Sequence, residues 1–204
     1  MGILRGATLP VIEPLVETVV DSGLKTLEIT MNTAGAPALI RKAVACAGKR
    51  LTIGAGTVLS AAECKEALGA GATFIVSPTL VYDVIKECRR KKIAVFPGAL
   101  TPQEIYNAHQ AGATMVKVFP AQFFGPAYLK EIKGPFADIG LLACGGVRPS
   151  NIKEYFSAGA SAVAFGGSVF KKTLLEQGNF DSIGRDIKEL ITAYKKQHCT
   201  DSHR

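Results

Sequence analysis

The chain is 204 residues long, 48% hydrophobic and 20% charged, with a formal net charge of +7. That length and balance fit one globular domain over residues 1–204 with room for a sizeable core, and they exclude an intrinsically disordered chain. No uncharged run reaches the ~18 residues that a membrane-spanning helix needs; the longest, Tyr155 to Phe170, is interrupted by glycines.

The opening Met1-Gly2-Ile3-Leu4-Arg5-Gly6 has no cationic leader followed by an apolar stretch, so no secretory signal is expected. The cysteines, Cys46, Cys64, Cys88, Cys144 and Cys199, are odd in number, scattered, and without C-x-x-C spacing. A reducing cytoplasm is the natural expectation. His109, His198 and His203 have no ligand spacing with one another or with the cysteines, so neither a metal site nor a cofactor is expected. The basic residues are spread along the chain. Their densest run, Arg89-Arg90-Lys91-Lys92, closes a predicted helix, where cations complement the macrodipole. That reading is preferred to a nucleic-acid patch, and an anionic small-molecule substrate suits the charge.

Strand candidates recur at intervals of about twenty residues, each followed by a helical pattern. Gly2–Arg5 precedes a helix near Pro10–Ser22, and Thr26–Thr30 a helix near Pro37–Ala47. Leu51–Gly56 precedes Ser60–Leu68, with Ser60 and Glu63 in capping-box spacing. Thr73–Ser77 precedes Val81–Lys91, and Ile93–Pro97 precedes Thr101–Gln110, where Thr101, Pro102 and Glu104 mark a helix start. The sixth strand, in Met115–Pro120, is followed by a loop and a helix near Ala127–Ile132. Gly140–Cys144 precedes Pro149–Ser157, and Ala162–Phe165 precedes Val169–Leu175. A last helix, Ser182–Lys196, leads into a polar tail, 198–204, expected to fray. Eight strands with eight helices fit a doubly wound sheet or a closed (β/α)8 (TIM) barrel, and the count favours the barrel.

The sixth strand carries a lysine between apolar neighbours, Met115-Val116-Lys117-Val118-Phe119. Alternation puts Met115, Lys117 and Phe119 on one face. Burying an ammonium is costly, and desolvation favours the neutral amine, which can attack a ketone. The bland alternative is a structural lysine paired with a carboxylate.

An internal repeat bears on that choice. Four helix ends carry a glycine before the next strand: Gly23, Gly71, Gly112 and Gly159. Counting five residues on from each glycine gives Glu28, Val76, Lys117 and Ala164. In a barrel, alternate strands supply one interior layer, so Glu28 and Lys117 are expected to share a layer on opposite walls. A buried ion pair without a task is weak evidence for stability, whereas paired titratable groups in a dry interior serve acid–base chemistry. Gly145-Gly146 and Gly166-Gly167-Ser168 follow the last two strands, where barrels often bind phosphate through backbone N–H groups. Thr57 and Arg5, at the ends of strands three and one, are candidates to hold an anionic group.

In order and spacing, Ile3-Leu4-Arg5-Gly6, Leu27-Glu28-Ile29-Thr30, Gly54-Ala55-Gly56-Thr57-Val58, Ile75-Val76-Ser77-Pro78, Phe96-Pro97-Gly98, Lys117-Val118-Phe119-Pro120, Phe124-Gly125-Pro126, Gly145-Gly146-Val147 and Gly166-Gly167-Ser168 are highly specific. Across essentially the whole chain they resemble the class I pyruvate aldolases that cleave 2-keto-3-deoxy-6-phosphogluconate (KDPG), with their galactonate (KDPGal) and 4-hydroxy-2-oxoglutarate (KHG) relatives. The resemblance implies a metal-independent lyase in which Lys117 forms the Schiff base and Glu28 moves protons through a water. It implies that Thr57 and Arg5 hold the pyruvate carboxylate. Gly146, Gly167 and Ser168 bind phosphate, and Pro78 and Phe119 wall the pocket. Family members are commonly homotrimers. Two departures bear on the sugar: Asn32 stands where gluconate-type enzymes often carry arginine and where galactonate-type relatives carry asparagine together with an Ile-Leu-Arg-Gly opening, and Cys144 stands where the gluconate type has threonine. The family usually has a short helix before strand one, which this sequence does not show.

The expected reaction is reversible cleavage of KDPG to pyruvate and glyceraldehyde 3-phosphate. Sibling readings are KDPGal, or KHG with side decarboxylation of oxaloacetate. Readings of other classes are a phosphosugar isomerase or epimerase barrel, whose metal-dependent forms need ligands absent here, and a catalytically idle assembly subunit.

Overall fold

A computed structural model describes residues 1–198, with side chains as far as Lys195. Most of the polar tail expected at 198–204 therefore lies outside the described residues, as does Cys199.

The strands are β1 (Gly2–Leu4), β2 (Thr26–Thr30), β3 (Thr52–Gly56), β4 (Phe74–Val76), β5 (Ala94–Phe96), β6 (Gly98–Ala99), β7 (Val116–Val118), β8 (Leu141–Cys144) and β9 (Ala162–Ala164). The helices are α1 (Leu9–Asp21), α2 (Ala36–Ala47), α3 (Ala61–Gly69), α4 (Tyr82–Arg90), α5 (Pro102–Ala111), α6 (Gly125–Lys133), α7 (Ile152–Ser157), α8 (Lys172–Glu176) and α9 (Phe180–His198). A 3-10 turn, Ala121–Phe123, follows β7.

Every ladder is parallel. One sheet runs β1-β2-β3-β4-β5 and the other β6-β7-β8-β9. Two seams join them into a (β/α)8 TIM barrel. At the first, β5 passes through Pro97 directly into β6, and together they form the fifth barrel strand. Proline has no N–H to give the ladder, although its carbonyl still accepts from Lys117 N–H at 2.8 Å. The strand expected over Ile93–Pro97 is present as Ala94–Phe96, and its continuation past the proline into Gly98–Ala99 is not expected from sequence. At the second seam, Ile3 N–H donates to Phe165 O (2.8 Å) and Phe165 N–H to Met1 O (3.1 Å), with Gly2 bridging Phe165 in parallel.

The apolar residues fall into two bodies. The larger lies between strands and helices; it includes Ile12, Leu15 and Val19 of α1, Val116 and Val118 of β7, and Ile183 and Ile187 of α9. The smaller contains Leu142, Cys144 and Ala164, with Ile3 and Phe96 packed against it. Residues of one strand thus divide between the bodies by parity, as a strand covered on both faces requires.

Local signals explain the boundaries. Thr101 and Glu104 form a complete capping box: Thr101 Oγ1 accepts from Glu104 N–H, and the Glu104 carboxylate accepts from Thr101 N–H. At α3 only half the expected box forms, because the Glu63 carboxylate takes the N–H of Leu59 (2.6 Å) while Ser60 caps Glu63. Helices α7 and α8 start three residues later than expected, after turns that follow the glycine pairs. All four repeat glycines have left-handed backbone: Gly23 φ 85°, Gly71 φ 101°, Gly112 φ 98° and Gly159 φ 94°. Any side chain there is strained. Gly112→Ala is expected to lower the unfolding free energy by about 1–2 kcal/mol, read as a lower urea midpoint at unchanged slope.

Candidate active site

Strand β7 is only three residues long, and its parity decides the site. Val116 and Val118 face the helices, so Lys117 faces into the barrel, where it is 6% exposed. Its Nζ lies 5.0 Å from the centre of the Phe119 ring, within the range of a cation–π contact. Strand β2 makes the matching choice: Leu27 and Ile29 join the outer core, and Glu28 turns inward, 1% exposed.

The glutamate fits because β3 gives way. Glu28 is in register with Gly54, and a methyl group on Gly56 would overlap the Glu28 carboxylate. Among the described residues, Glu28 Oε2 is buried without a hydrogen-bond partner. Burial pushes the Glu28 carboxyl above the ordinary range, while the Lys117 charge pulls it down and offsets only part of the effect. Cys144, in register beside Ala164, is buried in the same interior. Its thiol is also pushed up by burial, with Lys117 pulling the other way. The layer read from the repeat, Glu28, Val76, Lys117 and Ala164, is buried throughout.

Above these groups lies a cavity of about 720 Å³. It is lined by Lys117, Cys144, Arg5, Thr57, Pro78, Phe119, Gly145, Gly146, Gly166, Gly167 and Ser168, all of them singled out from sequence. Within this lining Arg5 Nη2 donates to Thr57 Oγ1 at 3.4 Å. Thr57 has φ 55°, which is strained for a β-branched residue. Backbone bonds on both sides hold it there, Met31 N–H to Gly56 O (2.7 Å) and Val58 N–H to Val76 O (3.2 Å). Thr33 Oγ1 accepts the Gly6 N–H at 3.0 Å and fixes the turn after Arg5.

The two glycine turns also line the cavity. Gly145 (φ 102°) and Gly146 (φ 73°) are both left-handed, a conformation that favours glycine. Asn151 laces this turn from both sides: its Oδ1 accepts from Arg148 N–H (2.8 Å) and its Nδ2 donates to Gly146 O (2.9 Å). No atom lies within 4 Å of the Cβ position of Gly167, so that turn is open to the cavity.

Two sequence candidates are not among these lining residues: Glu28, buried in the strand interior, and Asn32. Asn32 is exposed in the turn after β2. The turn buries Thr33 instead, whose hydroxyl is shared between Thr30 and Gly6. Several lining residues went unread: Gln122 from the 3-10 turn, and Arg148, Lys171 and Lys172 from just beyond the glycine turns. The latter three stand within a few residues of the flagged glycines, so the signal was present. Among the described residues, no group of three or more His, Cys, Asp or Glu is placed to hold a metal ion.

The carboxyl shift has a stability consequence. Between the ordinary glutamate range and the raised one, the folded chain binds more protons than the unfolded chain, so Glu28 costs stability as pH rises across that window. Glu28→Gln removes the titration. Its melting temperature is expected to gain on the wild type by about 2–4 °C between pH 4 and pH 8, read by calorimetry.

Comparison with known proteins matches this arrangement to one family. The sequence model of the KDPG and KHG aldolases matches residues 1–186. The chain is 36% identical over 184 residues to the 2-dehydro-3-deoxy-phosphogluconate aldolase of Haemophilus influenzae, covering 89% of this chain and 86% of that one. It is 33% identical over 172 residues to the 2-dehydro-3-deoxy-6-phosphogalactonate aldolase of Escherichia coli K12, covering 84% of each. The solved native KDPGal structure superposes at a TM-score of 0.91 with 30% identity, over 96% of this chain and 94% of that one. With the barrel, the inward lysine and the inward glutamate in place, the chain belongs to the KDPG and KHG aldolase family.

Proposed function

We propose that the protein is a class I aldolase that cleaves 2-keto-3-deoxy-6-phosphogluconate to pyruvate and glyceraldehyde 3-phosphate, with residues 1–204 acting as one barrel domain in the cytoplasm. The observation that carries this reading is the pairing of Lys117 and Glu28 inside the barrel, both buried, under a cavity walled by Pro78 and Phe119.

The amine of Lys117 adds to the C2 ketone, and loss of water gives an iminium. That cation draws in the electron pair of the C3–C4 bond as the C4 hydroxyl gives up its proton, so the scheme uses no metal. Glyceraldehyde 3-phosphate leaves and an enamine remains. Protonation at C3 and addition of water then release pyruvate and the free lysine. Glu28 is the proton carrier, through a water molecule. Its carboxyl holds a proton to higher pH than usual, and the partnerless Oε2 is free to take one. Arg5 and Thr57 hold the substrate carboxylate, and their 3.4 Å contact gives neighbouring donors for its two oxygens. The backbone N–H groups of Gly145, Gly146, Gly166 and Gly167, with the Ser168 hydroxyl, hold the phosphate.

A second reading, the galactonate epimer, is favoured by the Ile3-Leu4-Arg5-Gly6 opening together with Asn32. Both readings share the chemistry, and relative cleavage rates of the two phosphates decide between them. The same reading carries a homotrimer with it. Phe123 and Phe124 are 71% and 56% exposed beside the cavity, an apolar surface that a homotrimer would cover.

Borohydride reduction in the presence of pyruvate is expected to fix a three-carbon adduct on Lys117, located by peptide mass analysis, and Lys117→Met to abolish both adduct and cleavage. An unmodified Lys117 overturns the scheme. Glu28→Gln is expected to lower kcat by about 10²–10⁴-fold, the usual range for losing a general acid–base.

A further inference from the structure

The cavity is lined by five cationic side chains, Arg5, Lys117, Arg148, Lys171 and Lys172, and by no carboxylate. Their charges are not equally available. Lys171 lies 3.8 Å from Asp186 and Lys172 lies 3.6 Å from Glu176, so each already faces an anion across an exposed gap. Arg148 makes no salt bridge among the described residues and is exposed. It stands two residues beyond Gly146, on the turn that Asn151 laces to both Gly146 O and Arg148 N–H.

We propose that Arg148 is the specificity-determining residue for the distal end of the substrate: its guanidinium engages the terminal phosphate that the glycine turns cradle and selects a dianionic over an uncharged end group. This rests on the aldolase reading only for the identity of the substrate; an anion at the glycine turns would meet the same guanidinium. A planar guanidinium matches two phosphate oxygens at once, which a lysine does not. The backbone is fixed at Gly146 O and at Arg148 N–H, on either side of Val147, so the side chain starts from a defined point. Arg5, bonded to Thr57, and Arg148, on the glycine turn after β8, give one cavity two arginines that none of the described salt bridges holds, a match for a substrate that is anionic at both ends. Phosphorylated 2-keto acids fit that charge pattern. A 2-keto acid ending in a neutral hydroxyl leaves Arg148 unpaired.

The test measures the ratio of kcat/KM for glyceraldehyde 3-phosphate to that for glyceraldehyde in the condensation with pyruvate. Arg148→Ala is expected to lower this ratio about tenfold, the low end for a charge-assisted bond because the site is exposed, and Arg148→Lys to recover part of it. An unchanged ratio in Arg148→Ala overturns the proposal, as does full recovery by Arg148→Lys, which would reduce the effect to nonspecific charge. Binding of glycerol 3-phosphate, measured by calorimetry, checks the arginine without any ketone chemistry. Its Kd is expected to rise about tenfold in Arg148→Ala, and an equal Kd again overturns the proposal. If the wild-type protein gives no borohydride adduct with pyruvate yet its Kd for glycerol 3-phosphate responds to Arg148, the aldolase reading fails and the anion site stands.

Discussion

One constraint shapes the molecule: a lysine and a glutamate are both held inside a ring of parallel strands, away from water. Opposite charges in a low-dielectric interior attract strongly, but each also loses its hydration, and the loss often exceeds the gain. Here desolvation dominates at Glu28, whose carboxyl is pushed up despite Lys117, and its Oε2 finds no protein partner. A chain selected only for stability would fill this layer with apolar side chains. The backbone is adapted to the carboxylate instead. Gly54 leaves room for the Phe74 ring and Gly56 leaves room for the Glu28 carboxylate, so β3 gives up two side chains on its inner face.

The division of the apolar residues explains how the fold tolerates this. The large body of buried side chains lies outside the ring of strands, where the helices bury their faces. Inside the ring the buried apolar residues are few among the described residues: Leu142, Cys144 and Ala164, with Val76 and Phe74 on the same inner face. Hydrophobic stabilisation scales with the apolar area removed from water, so most of it comes from the outer body. The interior can then carry polar groups at a cost the outer body offsets. Strain is tolerated for the same reason. Thr57 keeps a positive φ because ladders to β2 and β4 bracket it, and the Ser77 hydroxyl bonds to Val58 O at 2.7 Å on the far side.

The barrel was legible because its signals are local and repeated. Glycine after each odd-numbered helix from α1 to α7, at a constant offset from the next strand, puts Glu28 and Lys117 in one layer. The missed features depend on what lies across the chain. Pro97 breaks its strand only because a ladder to β7 exists there to be broken. Glu63 has Leu59 and Ser60 N–H groups both within reach, and the entry angle of the loop decides between them. Asn32 and Thr33 are adjacent polar residues in one turn, and the burial of Thr33 beside Gly6 is a tertiary fact. Gln122, Arg148, Lys171 and Lys172 line the cavity through the direction their loops take after leaving the strands. Strand parity can be read from a sequence, but loop direction cannot.

Cys144 shows how a small substitution fits this electrostatic frame. It occupies the inner wall beside Ala164, and burial keeps its thiol protonated well above the ordinary range. A neutral thiol adds no second negative charge next to Lys117, so Glu28 remains the buried carboxylate that the lysine faces. A thiol is also a weaker hydrogen-bond donor than a hydroxyl and a bulkier atom in its place. In the proposed cycle it would therefore shape the space around the sugar more than it directs a hydroxyl within it. In that proposed cycle the substrate would be oriented by its charged termini, its carboxylate on Arg5 and Thr57 and its phosphate on the glycine turns. An aldolase that orients its substrate by the two ends leaves the configuration at the middle carbons to be sorted by shape. Gluconate and galactonate phosphates differ in that middle, so under this proposal the choice between them would fall to the contour of the cavity wall around Cys144.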